Sequence, residues 1–344
     1  MTIQLDLARM VVRARSYAKL NLFFEVLHRR ADGYHEVQSA TAPISLHDYI
    51  FFDLKASFHT PVPVPFVETG SNILIFNGHG AFVSDIPVDQ RNLVVRAYDA
   101  FYTRLASYAC ERFEQCVCAI RLYKGIPSQA GLGGGSSDAA TTLRTLNALS
   151  PVKLPKDELY NLAASLGSDV PLFLATTPTI GYGRGEILQP FEAPSVWTVI
   201  VKPNYGFSTP AIFQEFKNLV DVQRVSLDDF RDRAAHAYQM QRRGQNDYAQ
   251  ELGHALFNRL EECALLRYPS VRRQRRLLEF FRPCGVAMTG SGSCFYAIFP
   301  TRERACQVAR RLRRTLFQTR DHDFIHEGVF VAQSFSSTDL DKIV

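Results

Sequence analysis

Several features are scarce or missing in this 344-residue sequence, and each absence excludes a class of protein. The seven cysteines form no C-x-x-C pair, so neither a zinc site nor a disulfide framework is indicated. The longest apolar runs, such as IFFDL starting at Ile50, are far too short to span a bilayer, and the N-terminus shows no apolar segment with a cleavage site. We therefore expect a cytoplasmic protein that does not contact a membrane.

A strong excess of charge of one sign is also missing. The 39 basic and 34 acidic residues give a formal net charge of +5, which is too mild to indicate a nucleic-acid partner. The basic cluster VRRQRR, residues 271–276, has no interleaved aromatic residues that could stack on bases, and we interpret it as a solvated helix face. The hydrophobic fraction of 46% and the chain length favour two domains with buried cores.

Strand and helix signals are mixed along the chain without regular βαβ alternation. Near-alternating strings such as ARSYAKLNLFFEVLHRR and the buried string WTVIVKP predict strands, and the Asp-Gly pair in RADGYHE predicts a turn. Helical spacing predicts one helix between Asn92 and Cys110 and another in the string LPKDELYNLAASLG, closed by Gly167. Residues 55–90 predict irregular strands and loops. We predict an α+β fold with domains at 1–178 and 179–344.

The segment GIPSQAGLGGGSSDAATTLRTLNAL, from Gly125 to Leu149, places flexible backbone directly in front of a helical pattern. Ser136, Ser137 and Asp138 occupy positions typical of N-caps, so we predict that a helix begins at the serines. The N–H groups and dipole at that helix end attract an anion, and the glycines let the backbone wrap it. The segment therefore predicts a phosphate-binding loop, although it matches neither the P-loop nor the dinucleotide fingerprint.

Three strings resemble the three motifs of the GHMP kinases, the superfamily of galactokinase and of homoserine, mevalonate and phosphomevalonate kinases. They are SYAKLNL, PSQAGLGGGSSDAA and MTGSGSCFYAIF. Four further strings, RRADGYHE, LGSDVPLFL, GYGRGE and TPAIF, resemble one family within the superfamily. That family phosphorylates the 2-hydroxyl of 4-diphosphocytidyl-2-C-methyl-D-erythritol in non-mevalonate isoprenoid biosynthesis. The resemblance implies a two-domain α+β fold with the active site in the cleft between the domains.

The resemblance implies catalytic roles for two charged residues. Asp169 in GSDVPLF matches the family's catalytic aspartate, which would accept the proton of the acceptor hydroxyl as it attacks the γ-phosphorus. Lys19 in AKLNL matches the catalytic lysine, which would hold Asp169 ionised and offset charge on the phosphoryl group. Without the resemblance, Asp169 is interpreted as a loop or cap residue. A lysine within an apolar strand requires an anionic partner.

Recognition of the acceptor is implied for residues in the remaining strings. Tyr34, His35 and Phe213 match the family residues that hold the cytosine, by aromatic stacking and by hydrogen bonds to its edge. Without the resemblance these three are compatible with half-buried surface, a solvated turn and core, respectively. The methylerythritol and phosphate end would be lined by four residues: Asn21, Thr209, Gly290 and Gly292.

ATP is the implied phosphoryl donor. Its phosphates would be wrapped by a continuous segment: Gly131, Leu132, Gly133, Gly134, Gly135, Ser136 and Ser137. Asn92 and Lys124 match positions near the adenosine. Mg²⁺ is expected as the ATP complex, without an assigned protein ligand. ATP and the cytidyl acceptor are the expected small-molecule partners, and the sequence does not indicate an oligomeric state.

Three departures from the family pattern stand out. Typical relatives carry P-x-G-x-GLGGGSS, whereas this chain has Gln129 in place of the first glycine. The family's NDLE string occurs here as FNRLE, with Arg259 in place of the aspartate, so this site is left out of the catalytic residues. Residues 55–90 resemble an insertion without an assigned function.

Two other functions remain open from the sequence. The chain could be another GHMP kinase acting on homoserine or a mevalonate derivative, but RRADGYHE and TPAIF serve a pyrimidine pocket that those kinases do not need. It could also be a non-catalytic ligand sensor that kept the fold. The presence of both Lys19 and Asp169 argues against a sensor, because a sensor needs no general base.

Overall fold

The computed structural model describes residues 10–55, 66–69, 72–80, 82, 86–107, 117–175, 177–219, 222–319 and 324–339. Its strands are β1 (Met10–Arg29), β2 (His35–Lys55), β3 (Phe66–Thr69), β4 (Asn72–Gly80), β5 (Val117–Lys124), β6 (Thr179–Tyr182), β7 (Ile187–Pro190), β8 (Trp197–Pro203), β9 (Phe257–Asn258), β10 (Gly285–Met288), β11 (Phe295–Phe299) and β12 (Phe324–Gln333). Its helices are α1 (Leu93–Ala106), α2 (Gly134–Leu149), α3 (Lys156–Leu166), α4 (Thr209–Glu215), α5 (Leu227–Arg242), α6 (Tyr248–Ala255), α7 (Arg259–Arg267), α8 (Ser270–Glu279) and α9 (Arg302–Thr319). The mixture of parallel and antiparallel strands with helices is the predicted α+β class.

The chain forms two compact units that interleave along the sequence. The first unit comprises Met1–Ser16, His47–Ile126 and Gly134–Leu174, and the second comprises Tyr17–Leu46, Pro127–Gly133 and Ala175–Val344. The long strands β1 and β2 each contribute to both units, because the unit boundaries fall inside them. The predicted division into 1–178 and 179–344 stays a prediction. None of the helices in the described ranges has the length and apolarity needed to cross a membrane.

In the first unit, three helices cover a small sheet. Strand β4 runs parallel to β5, and β5 pairs antiparallel with the end of β2, where Tyr49 lies opposite Tyr123. Helix α1 packs against α2 and α3. Their apolar faces and the inward side chains of the strands form one buried cluster, which includes Phe52, Phe101 and Leu143. Burial of one face of α2 in this cluster fixes the helix against the first unit. The first turn of the helix lies at the edge of the cluster, where residues 134–136 remain partly exposed.

In the second unit, an antiparallel sheet in the order β10-β11-β8-β12 forms the centre. Helices α8 and α9 pack against it and contribute Leu278 and Leu312 to a buried cluster with Val201 and Phe295. Strand β1 pairs in parallel with the two-residue strand β9, and β2 pairs antiparallel with β6. The loop between β10 and β11 holds the glycine string TGSGS, so its two ends are fixed by neighbouring paired strands.

The first residues of α1 and α2 can be compared with the helix starts predicted from the sequence. Helix α1 begins after Asn92 as predicted, and the side-chain oxygen of Asn92 accepts a hydrogen bond from the Val94 amide at 2.9 Å. Helix α2 begins at Gly134, two residues before the predicted start at Ser136. The N–H groups of the first helical turn have no intrahelical acceptors. The flexible backbone of glycine is therefore tolerated at this end of the helix.

Arg259, which replaces the aspartate typical of relatives, is buried in a double hydrogen bond with Glu25 of β1. Its Nε and Nη2 atoms each lie 2.8 Å from a carboxylate oxygen of Glu25, and both side chains are almost fully buried. Glu25 also accepts a hydrogen bond from the Val225 amide at 3.0 Å, and Arg259 donates to the Gln223 carbonyl at 2.6 Å. The pair therefore holds the start of α7, strand β1 and the segment before α5 together.

We predict that Arg259→Met lowers the free energy of unfolding by about 3–5 kcal/mol, because it leaves the buried Glu25 carboxylate without its counter-charge. The double variant Glu25→Gln, Arg259→Met should recover part of that loss. Urea unfolding followed by circular dichroism measures both. Arg267→Met, which breaks the exposed pair of Arg267 with Glu215, is the matched control and should change stability little. An Arg259→Met variant as stable as this control would contradict the prediction.

Candidate active site

The phosphate loop predicted from the sequence lies against the glycine string between β10 and β11, within the second unit. Gly131 has φ +74°, and a Cβ added to it would lie 2.0 Å from the Thr289 carbonyl oxygen. The Thr289 hydroxyl donates to the Gly131 carbonyl at 3.2 Å, and the Cys294 amide donates to the Ala130 carbonyl at 3.3 Å. Only glycine is compatible with both this conformation and this approach, so the two loops form one surface.

Lys19 and Asn21 lie on the same face of β1 and next to both loops. The Lys19 amide donates to the Leu132 carbonyl at 3.1 Å, and its ammonium group donates to the Asn21 side-chain oxygen. A Cβ added to Gly290, which has φ +56°, would lie 3.2 Å from the Lys19 Nζ atom. The Asn21 amide donates to the Thr289 hydroxyl at 3.1 Å. The structure thus brings four predicted site residues of the second unit together: Lys19, Asn21, Gly131 and Gly290.

Helix α4 presents two further predicted residues one turn apart. The hydroxyl of Thr209 lies 2.8 Å from that of Ser291 in the glycine string, close to Gly292. Phe213 follows four residues later on the same helix face, and the His35 ring stacks on it with a centroid distance of 5.2 Å and an interplanar angle of 29°. Burial and the charge of Arg29 lower the pKa of His35, so its ring is neutral at pH 7 and can accept a hydrogen bond.

Tyr34 is the last residue of the turn between β1 and β2 and is 57% exposed. The guanidinium carbon of Arg184, in the turn between β6 and β7, lies 5.0 Å from the Tyr34 ring centroid. The two turns are joined because the Gly183 amide donates to Glu36 at 3.1 Å. Tyr34 is therefore an exposed aromatic ring with a cation on one face.

The remaining part of the phosphate loop belongs to the first unit. Gly134, Gly135, Ser136 and Ser137 form the first turn of α2, where amide groups lack intrahelical acceptors. The Ser137 hydroxyl accepts a hydrogen bond from the Ser16 hydroxyl at 2.8 Å, and both are buried. The helix end thus has the geometry that the sequence indicated for an anion.

Lys124 does not project into solvent but lies buried between two carboxylates of the first unit. Its ammonium group donates to Asp48 and to Asp138, the latter at 2.8 Å. Asp48 also accepts hydrogen bonds from the amides of Gly125 at 2.6 Å and Ile126 at 2.8 Å. The second carboxylate oxygen of Asp138 is buried without a hydrogen-bond partner. The cluster therefore ties the strand before the glycine segment to the first two turns of α2.

Two carboxylates share one ammonium in this cluster, which shifts the pKa of Asp48. Burial and the Asp138 charge raise the pKa of Asp48 to about 8. Burial alone would lower the pKa of Lys124, but the carboxylates of Asp138 and Asp48 outweigh it and raise that pKa. The cluster therefore retains a proton on its carboxylates at neutral pH, and the lysine stays charged.

The structure leaves three predicted roles as predictions. Asn92 uses both ends of its side chain structurally, because its nitrogen also donates to the Pro87 carbonyl at 2.8 Å. The predicted contacts of Asn92 and Lys124 with adenosine are therefore not evident from their side-chain positions. Asp169 is an exposed residue of the turn that follows α3, in the first unit. Its predicted pairing with Lys19 stays a prediction.

Gln129, which replaces a glycine typical of relatives, keeps the left-handed backbone of a glycine with φ +48°. A Cβ added to Gly206 would lie 2.4 Å from the Gln129 Oε1 atom. Gly206 therefore leaves the room that the Gln129 side chain occupies. A left-handed φ strains the backbone of a residue with a side chain. Gln129 nevertheless adopts it, as a glycine would at this position.

Four residues of these clusters were not predicted from the sequence to be site residues: Asp48, Asp138, Thr289 and Arg184. Asp138 and Thr289 stand inside the motif strings, so their position beside the glycines was an available signal. Asp48 and Arg184 become neighbours of the predicted residues only through strand pairing between distant parts of the chain. No local pattern distinguishes them from ordinary surface charges.

Two family models match the chain. The model described as GHMP kinases N terminal domain matches residues 92–176, and the model described as GHMP kinases C terminal matches residues 245–318. The crystal structure of an L. major mevalonate kinase in complex with R-mevalonate superposes with a TM-score of 0.63 over 96% of this chain and 98% of that chain, at 14% identity, which supports the fold. Fold and glycine loops together define a GHMP kinase.

Similarity to one family is closer. The chain is 35% identical to the 4-diphosphocytidyl-2-C-methyl-D-erythritol kinase of Pelotomaculum thermopropionicum over 89% of this chain and 95% of the relative. It is 34% identical to the enzyme of the same name from Desulfotalea psychrophila over 86% and 88%. A crystal structure of 4-(cytidine 5'-diphospho)-2C-methyl-D-erythritol kinase has a TM-score of 0.68 and 28% identity over 95% of this chain and 100% of that chain. The chain belongs to the family of 4-diphosphocytidyl-2-C-methyl-D-erythritol kinases, and the predicted membership is confirmed.

We predict that the Asp48 cluster makes stability fall as pH rises. The pKa of Asp48 is about 8 in the folded chain and has its ordinary value of 3.8 when unfolded, so the folded state binds the extra proton between these values. Relative to Asp48→Asn, the free energy of unfolding of the unmodified chain should decrease by about 2–3 kcal/mol from pH 5 to pH 7. Urea unfolding at both pH values measures the difference. A difference that is constant or grows with pH would contradict the assignment.

Proposed function

We propose that this chain transfers the γ-phosphoryl group of ATP to the 2-hydroxyl of 4-diphosphocytidyl-2-C-methyl-D-erythritol, the step its family performs in non-mevalonate isoprenoid biosynthesis. One observation carries the proposal: the Lys19 ammonium lies beside Gly290, and Gly290 lies against Gly131 of the predicted phosphate loop. A cation next to two glycine loops is what phosphoryl transfer requires, because the reaction depends on positioning and charge neutralisation.

The proton and charge steps are assigned to two residues. Asp169 accepts the proton of the acceptor hydroxyl while the hydroxyl oxygen attacks the γ-phosphorus in line and ADP leaves. Lys19 offsets the negative charge that spreads over the phosphoryl oxygens in the transition state. Asn21 accepts a hydrogen bond from the ammonium group and so orients it. An exposed turn aspartate is accessible to a hydroxyl that enters from solvent.

The donor phosphates are bound by the backbone amides of Gly131–Ser137, which include the first turn of α2. Mg²⁺ accompanies ATP and neutralises phosphate charge when bound. The described residues contain no group of three or more His, Cys, Asp or Glu side chains that could hold a metal ion. Mg²⁺ keeps several waters and binds phosphates with few protein ligands, so we assign its binding chiefly to the phosphates of ATP.

The cytosine is assigned to the aromatic group at the start of β2 and on α4. Tyr34 offers an exposed ring, and Phe213 and His35 form a stacked pair. A neutral His35 can accept a hydrogen bond from the exocyclic amino group of cytosine, which a protonated ring could not. Thr209, one turn before Phe213, links this group to the glycine string and hence to the phosphate end of the acceptor.

The function is tested by ADP release with three acceptors: the diphosphocytidyl methylerythritol compound, homoserine and a mevalonate phosphate. We expect kcat/KM for the cytidyl acceptor to exceed that for the others by at least about 100-fold, because only it fills the pyrimidine contacts. In Phe213→Ala the KM of the cytidyl acceptor should rise by about 5- to 150-fold, the range for losing one base stack, with the KM of ATP unchanged.

Phe317→Ala, on the exposed side of α9, is the matched control and should leave both KM values unchanged. Equal turnover of homoserine would assign a different acceptor. No ADP release with any acceptor would instead support a ligand sensor. An unchanged acceptor KM in Phe213→Ala would remove the cytosine assignment while leaving the kinase activity standing.

We predict that Asp169→Asn lowers kcat by about 10²–10⁴-fold, because the amide keeps the shape of the side chain but cannot accept the proton. Binding of both substrates should persist, since proton transfer acts in the transition state. Steady-state kinetics and calorimetric Kd values measure the two effects. Asp157→Asn, an exposed aspartate in the first turn of α3, is the control.

The pairing of Asp169 with Lys19 is measured by the double variant. Lys19→Met should lower kcat comparably, and the combined loss should be much smaller than the product of the single losses. Near-normal turnover in Asp169→Asn would rule out the base. Fully multiplicative losses would rule out only the pairing.

A further inference from the structure

Asn258 is a buried amide that connects helix α7 with the glycine string between β10 and β11. It is the last residue of β9 and the N-cap of α7, where its Oδ1 atom accepts a hydrogen bond from the Leu260 amide at 2.9 Å. Its Nδ2 atom donates to two carbonyls, that of Met288 at 2.7 Å and that of Gly290 at 2.9 Å. The side chain thus uses both amide protons on the same loop.

These two carbonyls lie on either side of Thr289, whose hydroxyl donates a hydrogen bond to the Gly131 carbonyl of the phosphate loop. The carbonyl oxygen of Thr289 excludes any side chain at Gly131. The hydroxyl of Thr289 accepts a hydrogen bond from the backbone amide of Asn21. Gly290 itself neighbours the Lys19 ammonium. A shift of this loop would therefore move the surroundings of Lys19, Asn21 and Gly131 together.

Asn258 is itself held in place from the opposite side. Its backbone pairs with Phe24 of β1, which directly precedes Glu25. Arg259, the next residue, is fixed by its double hydrogen bond to Glu25. A side chain anchored at its own backbone and bonded to both ends of a tripeptide has the geometry to fix that tripeptide.

We propose that Asn258 is a positioning residue for phosphoryl transfer, which holds the segment Met288–Gly290 so that the Lys19 ammonium keeps its place beside the phosphate loop. The proposal rests on the role of Lys19 in the proposed function. It assigns to Asn258 no contact with either substrate. A displacement of about 1 Å in a reacting group costs up to about 100-fold in rate, so the loss of this hold is measurable.

The simpler alternative is that Asn258 only caps α7. Asn258→Ser separates the two roles, because serine is a good N-cap but is too short to donate to the Met288 and Gly290 carbonyls. Asn258→Thr is a second variant that also caps and suits the extended backbone of this position, for use if the serine variant does not fold. Ser226→Ala, which removes the N-cap of α5 in the same unit, is the matched control.

The experiment measures kcat, both KM values and the thermal midpoint of each variant with ATP and the cytidyl acceptor. We expect Asn258→Ser to lower kcat by about 10- to 100-fold with KM values within about three-fold, because the hold acts on Lys19 in the transition state. Ser226→Ala should lower the thermal midpoint but leave kcat unchanged. In a Lys19→Met background, Asn258→Ser should lower kcat by less than about three-fold further.

Each other outcome has a separate meaning. A folded Asn258→Ser or Asn258→Thr variant with normal kcat overturns the inference, and so does a full further loss of kcat in the Lys19→Met background. Normal turnover in Lys19→Met alone overturns the assigned role of Lys19, and the inference with it. Failure of the unmodified chain to phosphorylate the cytidyl acceptor would reject the proposed function, which this series detects before any variant is compared.

Discussion

The candidate site of the second unit depends on one constraint, the contact of Gly131 with the carbonyl of Thr289. An added Cβ at Gly131 would lie 2.0 Å from that oxygen, which no rearrangement of side chains can relieve because both partners are backbone. The contact sets the distance between the two glycine loops. Lys19 then fits beside them, since its amide bonds to Leu132 on one loop while its ammonium group lies near Gly290 on the other.

Two buried lysines, Lys19 and Lys124, lie next to the glycine segment and have different hydrogen-bond partners. A Cβ at Gly290 would lie 3.2 Å from Lys19 Nζ, and a Cβ at Gly134 would lie the same distance from Lys124 Nζ. The Lys124 ammonium group donates to two carboxylates that compensate its charge, whereas the Lys19 ammonium group donates to the neutral side chain of Asn21. Lys124 is therefore best explained as a structural tie between β5 and α2.

The sequence predicted the parts of the site that lie within single strings. The glycine run, the helix behind it and the shared face of Lys19 and Asn21 follow from local spacing, and the structure confirms the helix with a start two residues earlier. Contacts between distant strings were not predictable. Asp48 lies 76 residues before Lys124, and Asn258 lies 32 residues before the Gly290 carbonyl that it binds. The stacking of His35 on Phe213 likewise depends on how α4 packs, and no local pattern encodes it.

Two of the three departures from the family pattern, Gln129 and Arg259, follow the same physical logic. A glycine replaced by Gln129 keeps its left-handed φ, and a glycine at position 206 leaves the space for the new side chain. Arg259, where the family pattern has an aspartate, places a positive charge in the interior, and a carboxylate oxygen of Glu25 lies 2.8 Å from its guanidinium group and compensates that charge. Neither change is neutral by itself, because the first adds volume at a close contact and the second adds an ion to the interior. Each is tolerable only together with its neighbour, so residues 129 and 206, and residues 25 and 259, behave as units when the chain is compared with relatives or altered by mutation.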